Sequence, residues 1–169
     1  MSRVNDNILF EDVKIVFRNF EGAEGKYNRA GDRNFCIILE DPELVRRMES
    51  DGWNVRYLQP REEGMEEQPY LPVKVEFDKG IPPKITMISS KGKTLLNRDT
   101  VGLLDVAEFE TIDVLIRPYN WSVSGKEGVK AYVKTMFVTL AEDDLEKKYF
   151  DVDTSTAICI GDDCPVIYD

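Results

Sequence analysis

Seven segments of the chain are rich in β-branched and aromatic residues and have the length of β-strands. They span residues 13–17, 34–39, 55–58, 71–77, 85–88, 112–117 and 129–140. Glycine, proline and charged residues separate most of these segments and mark turns. A succession of short strands at this spacing predicts a mainly β fold, either a barrel or a sandwich.

Two short helices are predicted between the strands. Asp41 is suited to cap the first helix, which we expect to begin at Pro42 and to end near Gly52. The second is predicted over residues 99–107, where the apolar positions are spaced to face the core. We therefore expect an antiparallel barrel with one or two short helices covering an end.

Three strands alternate in a way that separates apolar side chains from positively charged and aromatic ones. The predicted core face carries Val13, Ile15 and Phe17, then Ile112, Val114 and Ile116, then Val129, Ala131 and Val133. The opposite face carries Lys14 and Arg18, then Arg117, Tyr119 and Trp121, then Lys130, Tyr132 and Lys134. Aromatic rings beside Lys and Arg are typical of surfaces that bind single-stranded nucleic acid. Solvation of an ordinary sheet face would give the same pattern, so the residues alone leave both interpretations open.

Basic residues also occur in predicted loops and turns. Residues 27–35 interleave Arg29 and Arg33 with two aromatic residues around a glycine. Lys91, Lys93 and Lys126 fall in predicted turns between strands. Basic turns of this kind line the nucleic-acid groove of oligonucleotide/oligosaccharide-binding (OB) barrels, although each is also an ordinary solvated turn.

The charge is unevenly distributed along the 169 residues. The chain has 32 acidic and 22 basic side chains, a net charge of −10. Counted from the sequence, residues 1–140 hold 20 basic and 23 acidic side chains, whereas residues 141–169 hold 2 and 9. The body is therefore nearly balanced and can carry a basic face, whereas the C-terminal part should repel a polyanion.

Several classes of chemistry are excluded or disfavoured. The chain has no histidine, which excludes Ser-His and Cys-His catalysis. Cys159 and Cys164 lack the partners of a zinc site, and the paired acids fall in predicted loops rather than at converging strand ends. We therefore expect no enzyme activity, no metal and no cofactor. A small metal-dependent enzyme stays a minor alternative.

The start of the chain lacks the basic and apolar regions of a secretory signal. No apolar run approaches the ~18–20 residues that a membrane span needs. We therefore expect a cytoplasmic protein with no membrane partner.

The sequence resembles the single-stranded DNA-binding proteins of tailed bacteriophages over about residues 8–150. The similarity rests on residues 8–13, 28–35, 51–55, 116–119 and 128–132. The resemblance implies an OB-like barrel, no catalysis, and a role in DNA replication or recombination in the host cytoplasm. It also implies an acidic C-terminal tail that recruits other replication proteins.

The end of the chain has a second resemblance. Asp162, Asp163 and Pro165, followed by Tyr168, are similar to the acidic tails of bacterial single-stranded DNA-binding proteins, which bind partner proteins. In those tails a proline and an aromatic residue are terminal, whereas here an aspartate follows Tyr168. A flexible end without a partner is the alternative.

These observations lead to one interpretation. Residues 1–150 are predicted to form an OB-like domain that coats single-stranded DNA with little sequence preference, and residues 151–169 a flexible acidic tail. Bases would stack on Tyr27, Phe35, Tyr119, Trp121 and Tyr132. Phosphates would meet Arg29, Arg33, Lys91, Lys93, Arg117, Lys126, Lys130 and Lys134. The alternative is a non-catalytic virion-associated or protein-interaction β-domain. The residues favour neither DNA nor RNA and leave self-association open.

Overall fold

The computed structural model describes residues 4–26, 28–60, 63–64 and 66–142. The strands are β1 (Ile8–Phe10), β2 (Ile15–Asn19), β3 (Arg33–Ile38), β4 (Arg56–Leu58), β5 (Gln68–Val75), β6 (Lys84–Ser89), β7 (Gly92–Leu96), β8 (Phe109–Val123) and β9 (Lys126–Leu140). One α-helix, α1 (Pro42–Asp51), and one 3-10 helix (Val101–Asp105) accompany them. The prediction of a mainly β fold is confirmed. Strands β1 and β7 were not predicted, because three apolar residues and a lysine-rich hairpin give weak strand patterns.

The nine strands form one mixed sheet, not the wholly antiparallel one that was predicted. Its main path runs β1-β8-β9-β5-β3-β2, with β4 beside β5 and the β6–β7 hairpin beside β9. The pairs β5–β9 and β6–β9 are parallel, whereas the other pairs are antiparallel. Among the described residues, no ladder joins β1 to β2 at the two ends of this path. The backbone N–H of Val13, which precedes β2, donates to the carbonyl of Ile112 in β8 at 3.0 Å.

The core lies on the inner face of this sheet. Ile112, Val114 and Ile116 of β8 are buried, as are Val129, Ala131 and Val133 of β9. Both sets were predicted on the core face from their alternation, and both predictions are confirmed. A β-strand directs successive side chains to opposite faces, so the intervening residues of β8 and β9 face outward.

The first helix is correctly predicted at both ends. The Asp41 carboxylate accepts a hydrogen bond from the Glu43 N–H at 3.0 Å, and Gly52 ends α1 with φ of 95°. Only a residue without a Cβ adopts that conformation readily. The second helix is shorter than predicted, although Val101 and Leu104 are fully buried. None of the helices in the part of the chain that the structure describes could cross a membrane.

The prediction for the first strand is wrong beyond Val16. The register of β2 against β3 shifts between Val16 and Asn19, and Phe17 has φ of 54°. This β-bulge reverses the alternation. Phe17 therefore points outward and is 60% exposed, whereas Phe20 is fully buried.

The bulged segment is attached to the 3-10 helix by reciprocal hydrogen bonds. The Asp105 carboxylate accepts from the N–H groups of Phe20 and Glu21 at 2.7 and 2.9 Å. The Arg18 guanidinium donates to the carbonyls of Leu104 and Ala107 at 2.9 and 2.7 Å. Arg18 is therefore bound to the protein's own backbone.

Candidate nucleic-acid interface

The outward faces of β8 and β9 bring together several of the predicted site residues. Arg117 pairs with Tyr132 across the ladder, and Tyr119 pairs with Lys130. Directly opposed side chains on one face of an antiparallel pair lie close enough to interact. The alternation of each strand, fixed by the buried residues between them, places all four side chains on one surface.

Arg117, Tyr119 and Tyr132 form a contact cluster on this surface. The Arg117 guanidinium lies 5.3 Å from the centroid of the Tyr132 ring, within the range of a cation–π interaction. The Tyr119 and Tyr132 ring centroids are 5.7 Å apart, with the planes inclined at 59°. Tyr119 is 49% exposed. The cluster therefore offers an exposed aromatic ring beside a fixed positive charge.

The environment of Tyr132 keeps its hydroxyl protonated. Partial burial is the largest cause that raises the pKa of Tyr132, followed by Tyr119 and Glu76, whereas Arg117 lowers it. The ring is therefore neutral at physiological pH and can lie beside a phosphate without charge repulsion.

Trp121 and Lys126 lie near the tip of the β8–β9 hairpin. Trp121 is half-buried and pairs with Gly128, and Lys126 pairs with Val123. The turn between them uses Ser124 and Gly125, both with positive φ. Trp121 and Lys126 thus extend the outward surface of Tyr119 and Lys130 toward the hairpin tip.

A groove of about 480 Å³ continues this surface across β9, β5 and β3. Lys130 and Lys74 contribute positive charge to it, and Lys74 pairs with Tyr132 in the parallel β5–β9 ladder. Arg56, Tyr70 and Phe17 also line it. Phe17, Arg56, Tyr70 and Lys74 are not among the site residues predicted from the sequence. The alternation of Val73, Lys74 and Val75 is enough to predict that Lys74 faces outward. The outward position of Phe17 depends on the β2 bulge, which the local sequence does not reveal.

The side chain of Phe35 does not reach this surface, and its prediction as a stacking residue is wrong. Its side chain is fully buried and stacks on Phe20, with ring centroids 5.1 Å apart and planes inclined at 24°. In β3 the odd-numbered residues face the core, so Phe35 points away from any base. The β2 bulge turns Phe20 inward, where it packs against Phe35 in the core.

Arg33 is occupied by intramolecular contacts at one end of the groove. Its guanidinium lies 5.7 Å from the centroid of the Phe77 ring. It donates to the carbonyls of Gly31 and Arg98 at 3.5 and 3.4 Å. These contacts indicate a structural role, and its predicted phosphate contact stays untested.

Arg29 lies in an exposed loop whose backbone is ordered by asparagine side chains. The Asn28 amide donates to the carbonyls of Ala23, Arg29 and Asp32 at 2.9–3.0 Å. The Asn34 amide donates to the Asn28 side-chain oxygen at 2.8 Å. Arg29 itself does not line the groove, whereas the neighbouring Asn28 does, together with Asn34.

The remaining predicted lysines lie away from this groove. Lys91 and Lys93 belong to the β6–β7 hairpin, where Ile88 pairs with Thr139 of β9. Thr139 is nine residues from Lys130 along β9, a distance of about 30 Å at ~3.3 Å per residue. Lys134 is exposed at a bulge, where β9 has an extra residue between the partners of Leu115 and Ile116.

Some predictions lie outside the described residues. Tyr27, the tail residues Asp162, Asp163, Pro165 and Tyr168, and the cysteines Cys159 and Cys164 are among them. Within the described ranges, no three Cys, Asp or Glu side chains are grouped to hold a metal ion.

A mainly β fold whose outer sheet face carries cationic and aromatic side chains is typical of domains that bind nucleic acid. The family model described as "Putative phage ssDNA-binding domain" matches residues 1–164. The chain belongs to this phage ssDNA-binding domain family. No curated protein matches the sequence.

Two solved structures of similar fold are of a protein from bacteriophage Enc34. The single-stranded DNA-binding protein from bacteriophage Enc34 in complex with ssDNA has a TM-score of 0.54 at 7% identity, over 81% of this chain and 88% of that chain. Its C-terminal truncation has a TM-score of 0.51 at 7% identity, over 81% of this chain and 87% of that chain. At this identity the likeness concerns the fold.

Proposed function

We propose that this protein binds and coats single-stranded DNA during phage DNA replication or recombination, without catalysing a reaction. Membership of the phage ssDNA-binding domain family supports this proposal, as does the similar fold of the Enc34 protein in complex with ssDNA. The observation that carries it is the outward cluster of Arg117, Tyr119, Lys130 and Tyr132, which continues into the groove beside Lys74.

The chemistry of this surface fits a single strand better than a duplex. Aromatic rings stack on unpaired bases, whose faces are hidden in a duplex, and lysine or arginine beside them binds phosphate. Every base has a π face, so the proposed binding depends little on sequence. The predicted phosphate contacts of Arg29, Lys126 and Lys130 would add to Arg117 along the same surface.

We extend the proposal to the whole chain. Residues 1–150 would form an OB-like barrel, in which the hydrogen bond from the Val13 N–H to the Ile112 carbonyl would close the sheet between the start of β2 and β8. Residues 151–169 would form an acidic tail that recruits replication or recombination proteins, with Asp162, Asp163, Pro165 and Tyr168 as the docking peptide. The protein would act in the host cytoplasm and could assemble into homo-oligomers.

A fluorescence titration tests the central proposal. Trp53 is buried and Trp121 is half-buried, so quenching by a bound base would come from Trp121. We expect oligo-dT to quench the emission of the full chain and Trp121→Phe to lose most of that response. A gel-shift panel with single-stranded DNA, duplex DNA and RNA gives the specificity. A protein that shifts none of the three would instead be an interaction domain.

A further inference from the structure

The β2 bulge exposes an aromatic ring at an energetic cost. Phe17 has φ of 54°, a left-handed conformation that is a genuine outlier for a bulky residue. Without the bulge the ring would point inward, as the sequence predicts. Backbone strain of this kind persists where the surrounding structure enforces it, and it is concentrated at functional sites. The exposed Phe17 ring therefore needs an explanation other than core packing.

The ring of Phe17 lies in the groove against a second aromatic side chain. The centroids of Phe17 and Tyr70 are 6.1 Å apart, and their planes are inclined at 69°. Tyr70 pairs with Arg56 in the β4–β5 ladder, and both residues line the groove with Phe17. Arg56 thus places a positive charge beside the aromatic pair, in the combination that binds single strands.

This aromatic pair is distinct from the Tyr119–Tyr132 cluster. Tyr132 pairs with Lys74 of β5, and Tyr70 is four residues from Lys74 along the same strand. Four residues at ~3.3 Å and one strand spacing of ~4.8 Å separate the two aromatic pairs by about 14 Å. One base cannot contact both pairs, whereas a strand of a few nucleotides can.

We propose that Phe17 and Tyr70 form a second base-stacking subsite, with Arg56 and Lys74 binding the flanking phosphates. This bulge subsite rests on the proposed function and deepens it, because one DNA strand would cross from the Tyr119–Tyr132 cluster to the bulge. The strain at Phe17 is explained by the exposure of its ring face to a base.

Phe17→Asn separates binding from folding. Asparagine tolerates the left-handed conformation, so the variant relieves strain while it removes the ring. We expect its midpoint of urea unfolding to stay equal or to rise. Its affinity for oligo-dT should fall about 5- to 140-fold, as for the loss of one stacked base. Leu95→Asn, at an exposed apolar residue of β7, is the matched control and should bind as wild type.

A double-mutant cycle tests whether the two rings act as one subsite. Phe17→Asn and Tyr70→Leu should be non-additive, because each removes part of the same contact. Phe17→Asn and Tyr119→Leu should be additive. Wild-type affinity in both Phe17→Asn and Tyr70→Leu would overturn the bulge subsite and leave the proposed function intact. Failure of the wild-type chain itself to bind oligo-dT would overturn both.

Discussion

The indole ring of Trp121 lies directly over Gly128, its partner across the β8–β9 ladder. A Cβ at position 128 would lie 2.9 Å from the ring, which is shorter than the contacts that Cβ atoms make in folded proteins. The absence of a side chain at Gly128 therefore allows the Trp121 ring to lie against the hairpin.

Trp121→Ala and Gly128→Ala should therefore weaken DNA binding by different routes. Trp121→Ala removes a stacking ring and should lower affinity by about 1–3 kcal/mol without unfolding the protein. Gly128→Ala should displace the ring, shift its emission and weaken binding as well. Gly25→Ala is the control, because a Cβ there meets open space. Titration with oligo-dT and circular dichroism measure these effects, and an unfolded Trp121→Ala would show that the ring serves packing.

The salt dependence of binding should report the phosphate contacts. For single strands the logarithm of the affinity falls linearly with the logarithm of salt concentration, by roughly 0.7 per phosphate contact. Lys130→Ala should lower this slope by about one contact, because Lys130 lies beside Tyr119 on the binding surface. Lys93→Ala should leave it nearly unchanged, since the β6–β7 hairpin lies far along β9. Equal slopes in all three proteins would contradict a phosphate contact at Lys130.

The contrast between β8 and β2 explains how far the sequence could predict this site. In β8 a regular alternation of buried residues fixes the outward face of Arg117 and Tyr119, so both were found. In β2 one bulge reverses the alternation, and a bulge depends on pairing with β3 rather than on local residue types. The sequence therefore predicts Phe17 in the core. It predicts Phe35 on the surface for another reason, because Phe35 ends the basic stretch 27–35, whereas the ring packs against Phe20.

The groove shows a second limit of prediction from the pattern of one β-strand at a time. Lys74 and Tyr132 come together through the parallel β5–β9 ladder, which joins segments nearly sixty residues apart. No local pattern encodes that pairing, because it follows from the packing of the whole sheet. Arg33 shows the opposite limit. The sequence identifies its basic loop, but the Arg33 guanidinium donates hydrogen bonds to the carbonyls of Gly31 and Arg98, which no local pattern predicts.

Asp105 should contribute to stability rather than to DNA binding. Its carboxylate accepts two backbone hydrogen bonds from the segment that follows the β2 bulge. Asp105→Ala leaves both N–H groups without this partner and should lower the free energy of unfolding by about 1–3 kcal/mol. Glu108→Ala, an exposed neighbour, is the control. Urea denaturation measures both, and equal stabilities would show that water replaces the carboxylate.

Removal of residues 151–169 should raise the affinity for single-stranded DNA. This segment carries five acidic and no basic side chains. A tethered polyanion reaches the cationic groove at high effective concentration and competes with DNA. The gain should be largest at low salt, where charges are least screened. The same truncation should abolish capture of replication proteins. Equal DNA affinity of both chains at low salt would contradict competition by the tail.

Cys36 offers a chemical probe of the groove, because it lies on the outward face of β3 and lines the groove. Burial is the main cause that raises the pKa of Cys36 to about 11, while Arg56 lowers it. The thiol therefore loses its proton only as the pH rises toward 11, and the thiolate is the reactive form. In the Cys159→Ser, Cys164→Ser variant, alkylation of Cys36 by iodoacetamide should be slow at pH 8 and accelerate at higher pH.

Bound DNA should slow this alkylation further. A strand that crosses from Tyr132 on β9 to Phe17 on β2 passes over the outward faces of β5 and β3 and covers the thiol. We expect saturating oligo-dT to reduce the alkylation rate at pH 9 several-fold, whereas duplex DNA leaves it unchanged. Phe17→Asn should lose part of the protection at equal DNA occupancy, because the strand is no longer held at the bulge. Equal rates with and without oligo-dT, at a concentration that quenches Trp121, would place the bound strand outside the groove.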